Sequence, residues 1–294
     1  MARWAKKLPG FMDHSEYIKA LLITVDAGFI KKHNFRILFD PVNGCAIEVG
    51  KQLFSNLGEV VMINDRLGQR PARASEPRRE TLAETAKQVV SNHCDLGIAT
   101  DVDADRVVFI DEKGMVLSED LTAVILAEGK KTLVTPVNSS GLFKNEAKKW
   151  GAKVIECRVG PPEIIAAIKK YHADFAYEES GKYFFADKFL WADGLMAGVQ
   201  ILQVMARKKL SLSEMRQQYP VYYQEKIAIK CGWDKMPKKY VGKGIKEIFR
   251  DGFRFIRASG TEPLIRVFSD SPSLEQAKEL VEEGKKIVEE ELSV

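Results

Sequence analysis

Short apolar runs alternate with longer segments of helical spacing through the first part of the chain. FRILFD (35–40), VVMIN (60–64) and DLGIAT (95–100) have the composition of buried strands. The segments 44–58 and 78–92 that separate them carry apolar residues at helical spacing. The order strand, helix, strand, helix, strand predicts an α/β unit with parallel strands and right-handed crossovers.

The same order occurs a second time further along the chain. Its strands and helices are predicted, in order, at 132–136, 140–150, 153–157, 161–171 and 173–178. A strongly apolar helix is then predicted over 193–208 and should be buried. Ser211 and Glu214 have the spacing of a capping box, which marks the start of a further helix.

The pattern changes after about residue 222. YYQEKIAIK (222–230), FRFIRA (253–258) and PLIRVFSD (263–270) predict strands of a smaller sheet, and a charged helix is predicted from Ser273 to about Glu291. The predicted fold class is therefore α/β, with two tandem α/β domains containing mixed sheets and a small C-terminal α+β domain. The predicted domains cover residues 1–120, 121–221 and 222–294.

Composition narrows the class of protein. The 294 residues are 45% hydrophobic and 29% charged, as expected for a soluble globular chain. The net charge of +4 is too small to indicate nucleic acid or an anionic membrane as a partner, and no apolar run reaches the length of a membrane span. The four cysteines form no CxxC pair and the four histidines are scattered, which argues against zinc and favours a reduced, cytoplasmic location.

Three carboxylates stand on alternate residues directly after the third predicted strand. In TDVDADRVVFIDEKG these are Asp101, Asp103 and Asp105, and in an extended segment they would point to one side. Carboxylates held so near to one another repel each other unless a cation neutralises them. An all-oxygen set suits a hard cation such as Mg²⁺, so the run predicts a magnesium site.

Two other interpretations of this run are open to the residues. Counting Asp101 as position 1 of an EF-hand puts Glu112 at position 12, but Arg106 then stands at position 6, where that loop needs glycine. The residues 107–110 also have the pattern of a strand. The second alternative is a solvated acidic turn without a metal.

A second polar loop, YEESGKYFF, ends the strand predicted at 173–178. Glu178 and Ser180 should point to the same side, and Gly181 would let a ligand come close. A carboxylate beside a hydroxyl suits the binding of sugar hydroxyls, although an ordinary acidic hairpin has the same pattern.

A third loop, RASGTEP, joins two predicted strands of the last domain. Ser259, Gly260 and Thr261 offer hydroxyls and backbone N–H groups in a tight turn, an arrangement that binds anions. Arg257 and Arg266 flank the turn and could bind a phosphate bidentately. A plain surface turn beside a salt bridge is the alternative. The three loops together indicate phosphosugar chemistry.

These loops resemble those of the α-D-phosphohexomutases, the phosphoglucomutase/phosphomannomutase/phosphoglucosamine mutase family. DVDADR (101–106) resembles the family's metal loop DGDGDR or DGDADR, EESG (178–181) resembles its sugar loop GExSG, and RASGTEP (257–263) resembles its phosphate loop RPSGTEP. Weaker similarities are found in DPVNGCA, SEPRRETL, VNSSG, VGPPEII and ADGLMAG. The resemblance covers the chain from about Tyr17 onward.

The resemblance implies a phosphoryl transfer between O1 and O6 of a hexose phosphate, through a hexose 1,6-bisphosphate and a phosphoserine. It implies that Mg²⁺ is held by Asp101, Asp103 and Asp105, with Arg106 and Lys182 in catalytic roles. Glu178 and Ser180 would bind the sugar. The residues implied for phosphate binding are Arg257, Ser259, Gly260, Thr261 and Arg266.

The family's first domain, which carries the serine in a Ser-His-Asn-Pro setting, has no counterpart in these residues. We therefore expect the chain to be inactive alone and to need a separate serine-domain chain, with self-association through the uncovered face as another expectation. Val102, Tyr177 and Lys182 also depart from the family pattern, where glycine, glycine and often histidine stand. These departures favour an alternative function, a non-catalytic sugar-phosphate binder or regulator derived from the mutase.

Overall fold

The computed structural model describes residues 14–293. The strands are β1 (Arg36–Asp40), β2 (Glu59–Met62), β3 (Leu96–Thr100), β4 (Val107–Asp111), β5 (Thr132–Pro136), β6 (Lys153–Cys157), β7 (Phe175–Glu178), β8 (Lys182–Phe184), β9 (Tyr223–Lys230), β10 (Ile245–Phe249), β11 (Gly252–Ala258) and β12 (Leu264–Ser271). The helices are α1 (Ser15–Leu22), α2 (Ala27–Lys31), α3 (Ile47–Ser55), α4 (Ala83–Ser91), α5 (Glu119–Ala127), α6 (Gly141–Lys149), α7 (Pro161–Tyr171), α8 (Gly194–Lys208), α9 (Leu212–Gln217) and α10 (Leu274–Leu292).

These elements form two compact units. Among the described residues, the first unit runs to Leu117 and includes Ala192–Met215, whereas the second contains Ser118–Trp191 and the chain from Arg216 onward. Helix α8, which the sequence analysis assigned to the domain 121–221, lies in the first unit. The division into three domains itself stays a prediction.

The first unit is built on a mixed sheet with the strand order β2-β1-β3-β4. Strand β1 is parallel to β2 and β3, and β4 returns antiparallel to β3. Glycines let helices approach this sheet closely. A Cβ on Gly50 of α3 would lie 2.3 Å from the ring of Phe39 in β1. One on Gly198 of α8 would lie 2.8 Å from Phe54 of α3 and 3.3 Å from Ile98 of β3. The rings of Phe39 and Phe54 themselves pack edge to face, 5.2 Å apart.

The second unit contains two sheets. One has the order β6-β5-β7-β8, with three parallel strands and an antiparallel edge strand. The other is antiparallel throughout, with the order β10-β11-β12-β9, and packs against α10. Two α/β sheets of mixed direction and a C-terminal α+β sheet confirm the predicted fold class.

Several predicted elements have the bounds found in the structure. The predictions for β5, β6 and α7 agree residue for residue. The predicted capping box is also present, because Ser211 N donates to Glu214 Oε2 and Glu214 N donates to Ser211 Oγ. The EF-hand interpretation is wrong, since the aspartates connect two antiparallel strands and not two helices. Within residues 14–293, no helix combines the length and the apolar character needed to span a bilayer.

Candidate active site

The three aspartates lie in the turn that joins β3 to β4, where Thr100 pairs with Val107. The turn is not extended, as alternate side chains would have required, because Ala104 has a positive φ of 59°. The convergence was nevertheless predicted correctly: one carboxylate oxygen from each of Asp101, Asp103 and Asp105 lies within 4.8 Å of the others. The tight turn, and not strand alternation, brings them together.

The electrostatics of this turn suit a divalent cation. Burial, together with the charges of Asp103 and Asp105, raises the pKa of Asp101 to about 6. The Arg106 backbone N–H donates to Asp101 Oδ1 at 3.1 Å, and Arg106 Nε lies 3.6 Å from Asp101 Oδ2. One guanidinium does not balance three carboxylates. Asp103 is exposed and Asp105 is half-buried. The oxygen donors therefore fit Mg²⁺, with positions left for water or phosphate oxygens.

Two glycines far apart in sequence hold the turn from outside. A Cβ on Gly44 would lie 2.5 Å from the Val102 carbonyl oxygen, which accepts a hydrogen bond from Cys45 N at 2.8 Å. Gly194 N donates to the Ala104 carbonyl at 3.0 Å, and a Cβ there would lie 2.9 Å from the same oxygen. Side chains at either glycine would displace the aspartates, which gives DPVNGCA and ADGLMAG a structural role.

A buried carboxylate anchors the strand ends beneath the turn. Asp40, at the end of β1, is fully buried and accepts four hydrogen bonds. Its donors are Val42 N at 3.0 Å, Asn64 Nδ2 at 3.0 Å, Arg73 Nε at 2.9 Å and Thr85 Oγ1 at 2.7 Å. Arg73 also donates to the Thr100 carbonyl at 2.8 Å, the last residue before the aspartates. Asp40 thus fixes the base of the turn through Arg73.

Glu76 is a further residue at this site that the sequence analysis did not single out. Its carboxylate accepts from the Arg106 guanidinium and from Arg78, whose Nη2 lies 2.8 Å away. Burial alone would raise the pKa of Glu76, but the hydrogen bonds from the two arginines outweigh burial and lower it. Glu76 lies in SEPRRETL, and the weak similarity of this segment to the family was the sequence signal that could have identified it. Arg106 therefore contacts Glu76 as well as Asp101 and Asp105.

In the second unit, the predicted sugar loop is the turn between β7 and β8. Glu178 pairs with Lys182 across it, and Gly181 has a positive φ of 84°. Ser180 Oγ donates to Glu178 Oε2 at 2.8 Å, so the carboxylate and the hydroxyl do lie on one side. The hairpin that was weighed as an alternative is therefore present, and it brings the two groups together.

Tyr177, in strand β7 of this hairpin, is joined to the buried Asp120. The Tyr177 hydroxyl donates to Asp120 Oδ1, which also accepts from Ser140 N at 3.0 Å. Burial raises the pKa of Asp120 to about 6, against the effect of the Tyr177 hydrogen bond. Tyr177, a departure from the family pattern, is fully buried and connects strand β7 of the hairpin to Asp120 of α5.

The predicted phosphate loop connects β11 to β12 and concentrates positive charge. Arg257 and Arg266 stand directly opposite each other across the two strands, where like charges destabilise a sheet. Burial and the charges of Arg266 and Arg158 lower the pKa of Arg257. Arg257 Nε is buried and has no hydrogen-bond partner among the described residues. An anion would remove this repulsion and satisfy the unpaired donor.

The turn itself is closed by its serine. Ser259 Oγ accepts from Thr261 N at 3.4 Å and from Glu262 N at 3.2 Å, so these N–H groups are partly occupied within the loop. Glu262 also accepts from Arg266. The loop lines a cavity of about 150 Å³ together with Asn138 and Val159. Asn138 lies in VNSSG and Val159 lies in VGPPEII. The weak similarity of these two segments to the family was the sequence signal that could have identified both residues.

Comparison with known proteins gives three consecutive family matches. Residues 15–114, 111–222 and 203–286 match the models of domain II, domain III and the C-terminal domain of phosphoglucomutase/phosphomannomutase. The chain is 36% identical to a phosphoglucomutase/phosphomannomutase of Thermococcus kodakarensis, over 94% of this chain and 65% of that protein. It is 32% identical to a phosphoglucosamine mutase of Methanococcus maripaludis, over 95% of this chain and 67% of that protein.

Solved structures agree on the fold. A phosphoglucomutase/phosphomannomutase family protein from Burkholderia thailandensis superposes with a TM-score of 0.79 at 17% identity, over 94% of this chain and 64% of that one. The chain thus spans slightly less than two thirds of the Thermococcus relative and of the Burkholderia structure.

Proposed function

The chain belongs to the phosphoglucomutase/phosphomannomutase family, and from that premise we propose that it takes part in phosphoryl transfer between O1 and O6 of a hexose phosphate in the cytoplasm. The observation that carries the proposal is the convergence of three aspartate oxygens within 4.8 Å in one turn. In this proposal the phosphoserine that exchanges its phosphoryl group with the substrate belongs to a serine domain that these 294 residues do not include.

In this proposal Asp101, Asp103 and Asp105 hold Mg²⁺, which supplies positive charge at the transferring phosphoryl group. Arg106 donates hydrogen bonds to the phosphoryl oxygens or to the aspartates and is kept in position by Glu76. The geometry around Arg106 supports this role, since its guanidinium lies between Glu76 and the aspartates.

In the second unit, two loops carry the groups that we propose bind a hexose phosphate. Glu178 accepts hydrogen bonds from sugar hydroxyls and Ser180 donates to them, and Lys182 beside them provides a positive charge. Arg257 and Arg266 hold the phosphate that does not react, together with the groups of the turn at Ser259, Gly260 and Thr261. The hexose 1,6-bisphosphate intermediate carries two phosphates, so either end can occupy this turn after the intermediate reverses.

The test follows the 6-phosphate by phosphorus NMR after glucose 1-phosphate, Mg²⁺ and a trace of glucose 1,6-bisphosphate are added. We expect no product from the chain alone and product once a family domain carrying Ser-His-Asn-Pro is added. Product from the chain alone would reveal a nucleophile within it and overturn the partner requirement. No product with any added serine domain would overturn the mutase proposal.

A second candidate function is a non-catalytic sugar-phosphate binder or regulator. The three departures from the family pattern favour it, because Val102 adds a side chain to the metal turn and Tyr177 and Lys182 change the sugar loop. A binder would show a thermal shift with glucose 1-phosphate but no turnover under any complementation. The same two measurements therefore separate the candidates.

We expect Glu76→Gln to lower turnover of the complemented protein about tenfold while KM changes by less than about twofold. The substitution removes the charge that holds the Arg106 side chain but leaves the substrate-binding loops intact. Steady-state kinetics give both parameters. Glu80→Gln is the matched control, because Glu80 is exposed in the same segment. Equal turnover in the two variants would show that the aspartates alone position Arg106.

A further inference from the structure

A second cavity, of about 530 Å³, opens in the second unit beside α7. Ala166, Ala167 and Tyr171 of α7 form one side, and Lys243, Gly244 and Phe255 form the other. It shares only Phe255 with the smaller cavity at the RASGTEP loop. Its volume falls in the range of small-molecule sites, about 300–1,000 Å³.

Positive charge is in excess around this cavity. Of its two acidic residues, Glu156 is already bound by Lys144 at 2.6 Å and by Lys246 at 2.8 Å. Glu163 is then the one acidic lining residue left to balance the charges of Arg158, Lys170 and Lys243. In the part of the chain that the structure describes, the side chains of Arg158 and Lys243 make no ion pair. Such a surplus beside a concave surface attracts anions.

Part of the cavity lining is apolar. Ala166 and Ala167 leave room where larger side chains would fill the space, and Phe255 closes the floor with 1% of its surface exposed. Tyr171 stands at the edge, 39% exposed, with Lys170 Nζ 5.0 Å from its ring centroid. The cavity thus offers an apolar and aromatic lining below a cationic rim.

The turn that carries Lys243 packs closely against the C-terminal sheet. Gly244 has a positive φ of 69°, and a Cβ there would lie 2.6 Å from the Ile256 carbonyl oxygen. The turn therefore packs directly on β11 at Gly244, the residue that follows Lys243.

We propose that this cavity is a binding site for an organic phosphate, distinct from the phosphate turn at residues 257–263. The phosphate contacts Arg158 and Lys243, since a guanidinium binds phosphate bidentately and an ammonium adds a point charge. The organic part packs against Ala166, Tyr171 and Phe255. The site does not depend on the proposed mutase activity.

Phenyl phosphate is the probe, with titration calorimetry as the measurement. Because the turn at 257–263 also binds phosphate in our proposal, all titrations use an Arg266→Gln background. We expect this background to bind phenyl phosphate and to bind inorganic phosphate at least about tenfold more weakly, since inorganic phosphate has no group for the apolar lining.

Two added substitutions locate the site. Lys243→Gln should weaken phenyl phosphate about tenfold, and Ala166→Trp should abolish binding by filling the cavity. Both positions are exposed, and circular dichroism and Tm verify folding. Lys235→Gln, exposed and outside the cavity, is the matched control and should bind like the background.

Three results would overturn the proposal. These are no phenyl phosphate binding in the Arg266→Gln background, equal affinity for phenyl and inorganic phosphate, and unchanged affinity in Lys243→Gln. If Ala166→Trp fails to fold, Lys243→Gln against Lys235→Gln still decides the question. Because the probe needs neither a serine domain nor Mg²⁺, a failure of the mutase proposal leaves this test unaffected.

Discussion

Asp103→Asn is expected to lower the affinity for Mg²⁺ by at least about tenfold and the turnover of the complemented protein by about 100-fold or more. The substitution reduces the carboxylate charge of the turn from three to two while keeping the shape of the side chain. Asp103 is exposed, so the variant should fold normally. Removing one of three repelling charges should leave Tm without Mg²⁺ unchanged or slightly higher.

Titration calorimetry with Mg²⁺ on the chain alone measures the first effect and needs no partner. Asp65→Asn is the matched control, because Asp65 is an exposed aspartate of the same unit outside the turn. It should bind Mg²⁺ like the unchanged chain. If Asp103→Asn and Asp65→Asn bind Mg²⁺ equally well, the turn is not the metal site, and the mutase proposal loses its central observation.

The sequence predicted elements well where apolar period and length agree. Strands β5 and β6 and helix α7 are short runs bounded by turn residues, and their bounds are those of the structure. Helix α5 was not predicted, because all but its first residue are buried and the apolar run LTAVILA has no helical period. Strand β10 was missed as well, since KGIKEIFRD offers only a brief alternation among charged residues.

The site shows a different limit. The loops that we propose as the site could be selected from sequence, because carboxylates, hydroxyls and arginines at fixed spacing indicate chemistry themselves. The shape of the aspartate turn could not be predicted in this way, because Ala104 has a positive φ and is contacted by a residue distant in sequence. Gly194 lies about ninety residues further along the chain, and only the folded first unit brings its N–H against the Ala104 carbonyl.

Asp40→Ala is expected to lower the free energy of unfolding by about 3–5 kcal/mol. The carboxylate has no exposed surface, and its ion-pair partner Arg73 has only 9% of its side chain exposed. Removing it leaves a buried guanidinium without its counter-ion and strands three further donors, from Val42, Asn64 and Thr85. Unpaired buried charge is much more costly than a lost surface contact.

Urea unfolding followed by circular dichroism measures the effect. Asp26→Ala is the matched control, since Asp26 caps α2 through Phe29 N and loss of a cap costs about 1 kcal/mol. The difference between the two variants therefore isolates burial and ion pairing from the aspartate side chain itself. Equal losses of unfolding free energy in the two variants would mean that the carbonyls already bonded to Arg73 are enough to satisfy its charge. These carbonyls belong to Thr100, Ala74 and Ser75. In that case Arg73 would anchor the aspartate turn through the backbone, and the Mg²⁺ affinity that we propose for the turn should survive in Asp40→Ala. We expect instead that this affinity falls together with stability.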